Sequence, residues 1–371
     1  MTSFKNYPLT VRVLVSLLLG ISVIFVLIMT KQLLVPLFFA VLLSYALLPA
    51  ANKLEQLGMP RIPVNFILIV ATIAVIAGSF LGFGTLVGSF SEDLPDIRSQ
   101  AEENLTGIQN TLINSIGISE SRIESVFENW QESGEYVSEF FTATANTILA
   151  IALIPVYTFL LLLYRNKFKE FIFRLLPSGK KERIQDIITQ TTRVVPKYMK
   201  GLVTVCLILI ILNSAGFFII GIEYALFLGV IAAFFNLIPY LGTVIGYGLV
   251  FLFVLATQSV PLALGVVVQF IIIQFIENNI LTPNITGSYV QINPLVTIFS
   301  LIAGGTIWGL PGMFMVIPYL AILKIFCENI PDLKPVAFLL GTRGTEKYSI
   351  SFKTLRKKIG WNAEKEGSSS I

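Results

Sequence analysis

The chain has 371 residues, of which 55% are hydrophobic and only 13% charged, and its net charge is +4. Soluble domains carry roughly 25% charged residues, so this composition excludes a water-soluble enzyme and predicts an all-α fold, a polytopic membrane helix bundle. There is no histidine, which removes the commonest metal ligand and the ordinary neutral-pH base. Cys206 and Cys327 sit singly in apolar runs, so neither a disulfide framework nor a metal or redox motif is indicated.

A membrane-crossing helix needs about 20 mostly apolar residues. Such windows occur at about eight places: 11–29, 33–50, 63–90, 143–164, 202–221, 225–255, 260–281 and 295–327. The first follows Lys5 and Arg12, as a signal peptide would, but another span succeeds it at once and no small-residue cleavage site stands out, so a retained helix is expected. The predicted organisation is a three-span segment (1–90), an external acidic insert (91–142), a fourth span (143–164), basic interfacial helices (165–200), a four-span transport bundle (201–328) and a basic tail (329–371).

Charge sets the direction. Segment 165–200 holds ten lysines and arginines against Glu170, Glu182 and Asp186, and the tail after Gly341 holds seven against three glutamates. Basic segments stay cytoplasmic. Segment 91–140 carries eleven acids and only Arg98 and Arg122, so it belongs outside, with both termini inside. Lys31 falls on the wrong side, where a single interfacial lysine can snorkel.

In the acidic insert, Leu94, Ile97, Ala101, Leu105, Ile108, Leu112 and Ile116 recur at helical spacing, and Ser121 with Glu124 resembles a capping box. The insert reads either as a helical cap on its own spans or a neighbour, or as a negative surface that gathers cations. In the basic insert, Phe168, Phe171, Ile172 and Leu175 form one apolar stripe; Ile184, Ile187, Ile188 and Val195 form another beyond a Pro177-Ser178-Gly179 turn. That pattern suits helices lying on anionic membrane lipid. No nucleic acid is expected as a partner, because the basic patch abuts the spans.

Between Lys200 and Lys324 the only ionisable acids are Glu223 and Glu277, and there is no basic residue. Glu223 lies in a short connection. Glu277 ends an apolar run, and on a helix Gln274, Glu277 and Asn278 share a face. A carboxylate there reads as a cation, proton or solute ligand, or as a hydrated group near the surface. Pro239 and Gly242 interrupt one span in NLIPYLG; PNITGSYVQINP (283–294, with Pro283, Gly287 and Pro294) separates two others; and Gly304, Gly305, Gly309 and Gly312 crowd the last. Broken spans survive in lipid only when buried in protein or lining a watery cavity, and they point to transporter sites; ordinary kinking and close packing is the plainer alternative. The candidate binding residues are Asn236, Tyr240, Gln274, Glu277 and Asn278, with the prolines and glycines just named as hinges. The site is expected between the sixth, seventh and eighth spans. No phosphate loop, HExxH or GxSxG motif occurs, so no enzyme, cofactor or metal is expected.

The runs GVIAAFFNLIPYLGTVIG (229–246), IENNILTPNITGSYVQINP (276–294) and GGTIWGLPGMFMVIP (304–318) resemble, in order and spacing, the signatures of the autoinducer-2 exporter family of bacterial transporters. Ile238, Pro239, Tyr240, Leu241 and Gly242 match its first core; Glu277, Asn278, Pro283 and Gly287 match its second. One departure is Leu202 after Gly201, where the family often has a polar residue. The resemblance implies a multi-pass inner-membrane transporter that forms a homo-oligomer such as a pentamer. Family members are linked to export of the quorum-sensing signal autoinducer-2 and to sodium(lithium)/proton antiport. The small polar solute and the monovalent cation both stay open, as does a non-transporting scaffold that binds a partner through 91–142.

Overall fold

The computed structural model describes residues 8–92, 99–100, 104, 148–175, 181–286 and 291–342. The helices are α1 (Leu9–Met29), α2 (Lys31–Gln56), α3 (Arg61–Glu92), α4 (Ile148–Leu163), α5 (Arg165–Leu175), α6 (Lys181–Ile220), α7 (Ala225–Phe235), α8 (Leu241–Thr257) and α9 (Val260–Ile276). A π-helical segment, Glu277–Thr286, continues α9; α10 (Pro294–Trp308), α11 (Leu310–Asn329) and α12 (Lys334–Leu340) follow. Every regular element among the described residues is helical, and five helices are long and apolar enough to cross a membrane. The fold is an all-α polytopic bundle. The acidic insert, its helix pattern and its capping box lie almost wholly outside the described residues, as does the 177–179 turn.

Two of the predicted spans are hairpins. The window 225–255 divides into α7, of 11 residues, and α8, of 17. At 1.5 Å per residue α7 reaches only about 16 Å, well short of a bilayer core of about 30 Å. The two arms run antiparallel: a Cβ on Gly246 would lie 3.1 Å from Ala232 O and 3.1 Å from Phe235 Cβ. Their open ends meet, because Glu223 N–H donates to Gln258 Oε1 at 3.4 Å. The window 295–327 divides likewise into α10 and α11, joined at Gly309 (φ +66°). Here too the open end is tied, through Lys324 Nζ donating to Gln291 O at 2.9 Å. The continuous helix Val260–Ile285 separates the two open ends, so the hairpins enter the bundle from opposite ends.

A third difference concerns the boundary expected at residue 200. The amphipathic stretch and the following span form one 40-residue helix, α6, with Pro196 buried inside it. Pro196 has no N–H for the helical bond at that turn, yet the helix runs on through it.

Apolar contact alone gives little drive in lipid, so close approach and polar ties must hold the helices. One core joins α6 (Leu209, Phe217), α7 (Leu228, Ala232), α8 (Val250, Val254) and α9 (Val266, Ile273), all buried. A second joins Leu42 of α2, Val195 of α6 and Met315 of α11; Phe38 packs its ring on Tyr319 and accepts that tyrosine's O–H at its backbone carbonyl, 2.8 Å away. Glu55 binds Arg165 at 2.5 Å and Arg61 at 3.3 Å, fastening α2, α3 and α5 at one end.

The α7–α8 hairpin depends on Gly242, where any Cβ would collide with Phe235 O, whereas Gly248 on the same helix faces open space. Gly242→Ala should therefore lower stability in detergent by about 1–3 kcal/mol through overpacking, while Gly248→Ala should be neutral or gain up to about 1 kcal/mol of helix propensity. Thermal unfolding of the two variants checks this; equal melting would contradict the hairpin packing.

Candidate functional site

The tip of the first hairpin is built by its sequence. Pro239 has no N–H to continue α7, and the chain turns over Asn236–Tyr240 instead. Tyr240 takes φ +65° and ψ −57°, and Leu241 N–H donates back to Pro239 O at 2.8 Å. This is a γ-turn of the rare, strained kind. A non-glycine residue held there stores strain that the surroundings must sustain, a feature that clusters at functional sites.

The turn places Asn236 against α9. Its Nδ2 donates to Glu277 Oε1 at 2.8 Å, and its Oδ1 accepts from Thr243 Oγ1, also at 2.8 Å. The amide is thus oriented at both ends, with its donor toward the carboxylate. Glu277 stands where α9 passes into the π-helical segment. Such segments are usually single-turn bulges, often at functional sites; this one runs for 10 residues and contains Pro283. Side-chain amides support its loosened backbone: Asn279 Nδ2 donates to Phe275 O and Asn284 Nδ2 to Ile280 O, each at 2.8 Å.

One turn further along α8 from Thr243, Tyr247 begins a second polar layer. Its O–H donates to Asn213 Oδ1 at 2.5 Å, and Gln269 Nε2 donates to Asn213 O at 2.9 Å. Asn213 is 1% exposed and Gln269 5%. Thr243 and Tyr247 share a helix face at i, i+4, so the two layers form one polar track between α6, α8 and α9. Ser214 Oγ, Gln269 Oε1 and Gln274 Oε1 are buried with no protein partner. Buried polar atoms are normally satisfied, so these acceptors suit water or a polar solute.

Among the residues singled out from sequence, Asn236 and Glu277 are brought together. Gln274 is half-buried one turn before Glu277 and does not bond it; Asn278 is exposed. The face expected for these three is lost because π winding begins at Glu277 and changes the angular spacing. Tyr240 is 54% exposed and does not join the Asn236–Glu277 bonds. Pro283 lies exposed within the π-helical segment and Pro294 opens α10, whose N-cap is Asn293, its Oδ1 accepting from Leu295 N–H at 3.0 Å. Gly304 and Gly312 meet where α10 and α11 cross, and Gly305 faces Met313. Gly287 lies outside the described residues. The third wall of the network is α6 rather than the last span, whose hairpin packs on α2 and on the first half of α6.

Sequence reasoning missed Asn213, Thr243, Tyr247 and Gln269 as site residues. The available signal was a polar residue in an apolar helix, as in Leu212-Asn213-Ser214, which in a membrane normally faces a partner or cavity. Asn236→Ala should destabilise the protein by about 1–3 kcal/mol by stripping partners from Glu277 and Thr243. The double variant Asn236→Ala/Glu277→Gln should cost less than the sum of the single changes. Additive losses in detergent melting would contradict the coupling.

A family model described as "AI-2E family transporter" matches residues 14–332. YrrI of Bacillus subtilis (strain 168), provisionally named a transport protein, is 27% identical over 310 residues, covering 80% of this chain and 86% of the relative. PerM of Escherichia coli (strain K12), provisionally named a permease, is 26% identical over 343 residues, covering 88% and 94%. The match runs through both hairpins, the π-helical segment and the polar track, and the chain belongs to the AI-2E family of transporters.

Proposed function

We propose that the chain exports a small polar solute across the bacterial inner membrane, with the solute held beside Glu277 at the tip of the α7–α8 hairpin. The observation that carries this reading is the Thr243–Asn236–Glu277 hydrogen-bond chain. It gathers a hydroxyl, an amide and a carboxylate at a helix break inside an otherwise apolar bundle. These groups would exchange bonds with the hydroxyls of an uncharged, polyol-like solute, and autoinducer-2 is a solute of that kind. Gln274 Oε1 offers a further acceptor. The basic segments 165–200 and 343–365 support a reading in which both termini are cytoplasmic, with the α7–α8 hairpin entering from outside and α10–α11 from inside.

A second reading is sodium(lithium)/proton antiport. It is favoured by the carboxylate itself: no lysine or arginine occurs between Lys200 and Lys324, and among the described residues Glu277 has an amide partner and no ion pair, a place that a proton or a monovalent cation could take. Assembly as a homo-oligomer, such as a pentamer, belongs to the same proposal. The scaffold alternative rests on the acidic insert, which lies outside the described residues.

Flux into proteoliposomes separates the readings. For solute export, Asn236→Ala and Thr243→Val should each lower autoinducer-2 flux at least about tenfold, equivalent to losing about 1.4 kcal/mol, and Glu277→Gln should keep part of it because glutamine still accepts hydrogen bonds. For antiport, Glu277→Gln should abolish sodium-driven proton movement. A Glu277→Gln protein that moves both as the unchanged protein does would overturn both.

A further inference from the structure

Away from the hairpin tip, a cavity of about 390 Å³ opens where α11 ends and α12 folds back. Lys324, Glu328 and Asn329 of α11, Lys334 and Phe338 of α12, and Gln190 of α6 line it. The region is held together tightly. Lys324 Nζ donates to Gln291 O at 2.9 Å and lies 3.7 Å from Glu328; Asn293 N–H donates to Leu340 O at 2.8 Å; and Ala337 and Leu340 are buried beside Cys327. Apolar side chains of α12 lie open at and beside the cavity, with Val336, Phe338 and Leu339 exposed at 42%, 63% and 63%.

We propose that this cavity binds the head group of an anionic phospholipid. Two features point to that ligand together. The first is charge: among the described residues two ammonium groups against one carboxylate leave the cavity lining one positive charge in excess, which matches a single phosphodiester. The amides of Gln190 and Asn329, with the Glu328 carboxylate, suit the hydroxyls of a polyol head such as glycerol. The second is position: the cavity lies where the apolar helix α11 meets the charged end of the bundle, and the bare face of α12 next to it offers acyl chains an apolar bed. Basic pockets between membrane helices recognise lipid head groups in this way, and an interfacial helix with one apolar face lies at the same depth. A free phosphate compound would gain from the lysines but would leave Phe338 and Leu339 bare. The site does not depend on which solute is carried. Its occupant would touch Gln291, just ahead of α10.

Native mass spectrometry of the full-length protein in detergent tests the assignment, with phosphatidylglycerol, phosphatidylcholine and sn-glycerol 3-phosphate as probes. Phosphatidylglycerol should be retained at least about fivefold more strongly than phosphatidylcholine. A lysine near the membrane surface is worth about 1 kcal/mol, so Lys324→Gln and Lys334→Gln should each weaken retention about fivefold, and Lys334→Arg should restore it. Lys334 is exposed at the rim, so Lys334→Gln should melt as the unchanged protein does and remains decisive if Lys324→Gln, which also loses the Gln291 bond, fails to fold. Equal retention of the two lipids, or retention unmoved by Lys334→Gln, would overturn the proposal. So would glycerol 3-phosphate binding as tightly as the lipid, which would make this a site for a soluble phosphate.

Discussion

The hydrogen bond from Asn236 to Glu277 sets the terms for the rest of the C-terminal half. A carboxylate at the centre of a bilayer costs about 2.5–3.5 kcal/mol even on insertion scales, and it persists only beside a partner or a watery cavity. In this chain the neighbouring spans carry no cation, since no lysine or arginine occurs between Lys200 and Lys324, and among the described residues the carboxylate takes its hydrogen bond from an amide. That amide comes from another helix. A continuous span over 225–257 would leave Asn236 inside a regular helix. Breaking that span at Pro239 turns the chain back and delivers the amide at 2.8 Å.

The break carries its own requirements. Helix ends inside lipid leave backbone groups that need partners. The turn meets this with short-range bonds: Ile238 N–H to Phe235 O, Leu241 N–H to Pro239 O and Gly242 N–H to Ile238 O. The returning arm then fits only because Gly242 and Gly246 let α8 lie directly on α7. On the other side, α9 loosens into π-helical winding at the residue that holds the carboxylate, and Asn279 and Asn284 take up backbone carbonyls there. Strain at Tyr240, close packing at Gly242 and the widened winding from Glu277 all sit around one polar contact. At the second hairpin, glycines meet glycines and the polar ties run mostly to backbone carbonyls, from Lys324 to Gln291 and from Tyr319 to Phe38.

The class of the molecule was legible from composition, and the positions of the polar elements from single residues. Glu277 stood out because, of the two acids in a long neutral run, it was the one that ended an apolar stretch, and Asn236 because it preceded a proline–glycine break. The direction of the broken spans was not legible. A window of apolar residues reads the same whether the chain crosses or turns back, and only the Gly246–Ala232 and Glu223–Gln258 contacts distinguish them. The expected face of Gln274, Glu277 and Asn278 failed for a similar reason: α-helical spacing was assumed through residues that wind as a π-helix. Asn213, Tyr247 and Gln269 went unrecognised because each is one of a few uncharged polar side chains in an apolar helix. Their significance lies in meeting one another across three helices, which spacing within one helix cannot reveal.

If the broken hairpin builds a transport site, its tip must meet water although apolar sequence surrounds it. Single cysteines at Tyr240 and Asn278, in a chain with Cys206 and Cys327 replaced by serine, would report this through a membrane-impermeant thiol reagent applied to oriented vesicles. The account predicts labelling of both positions from at least one side, slowed by the transported solute, with Phe218→Cys on the exposed apolar face of α6 left unlabelled. Failure of both tip positions to label from either side would show the tip to be sealed in lipid or protein, and would contradict the account.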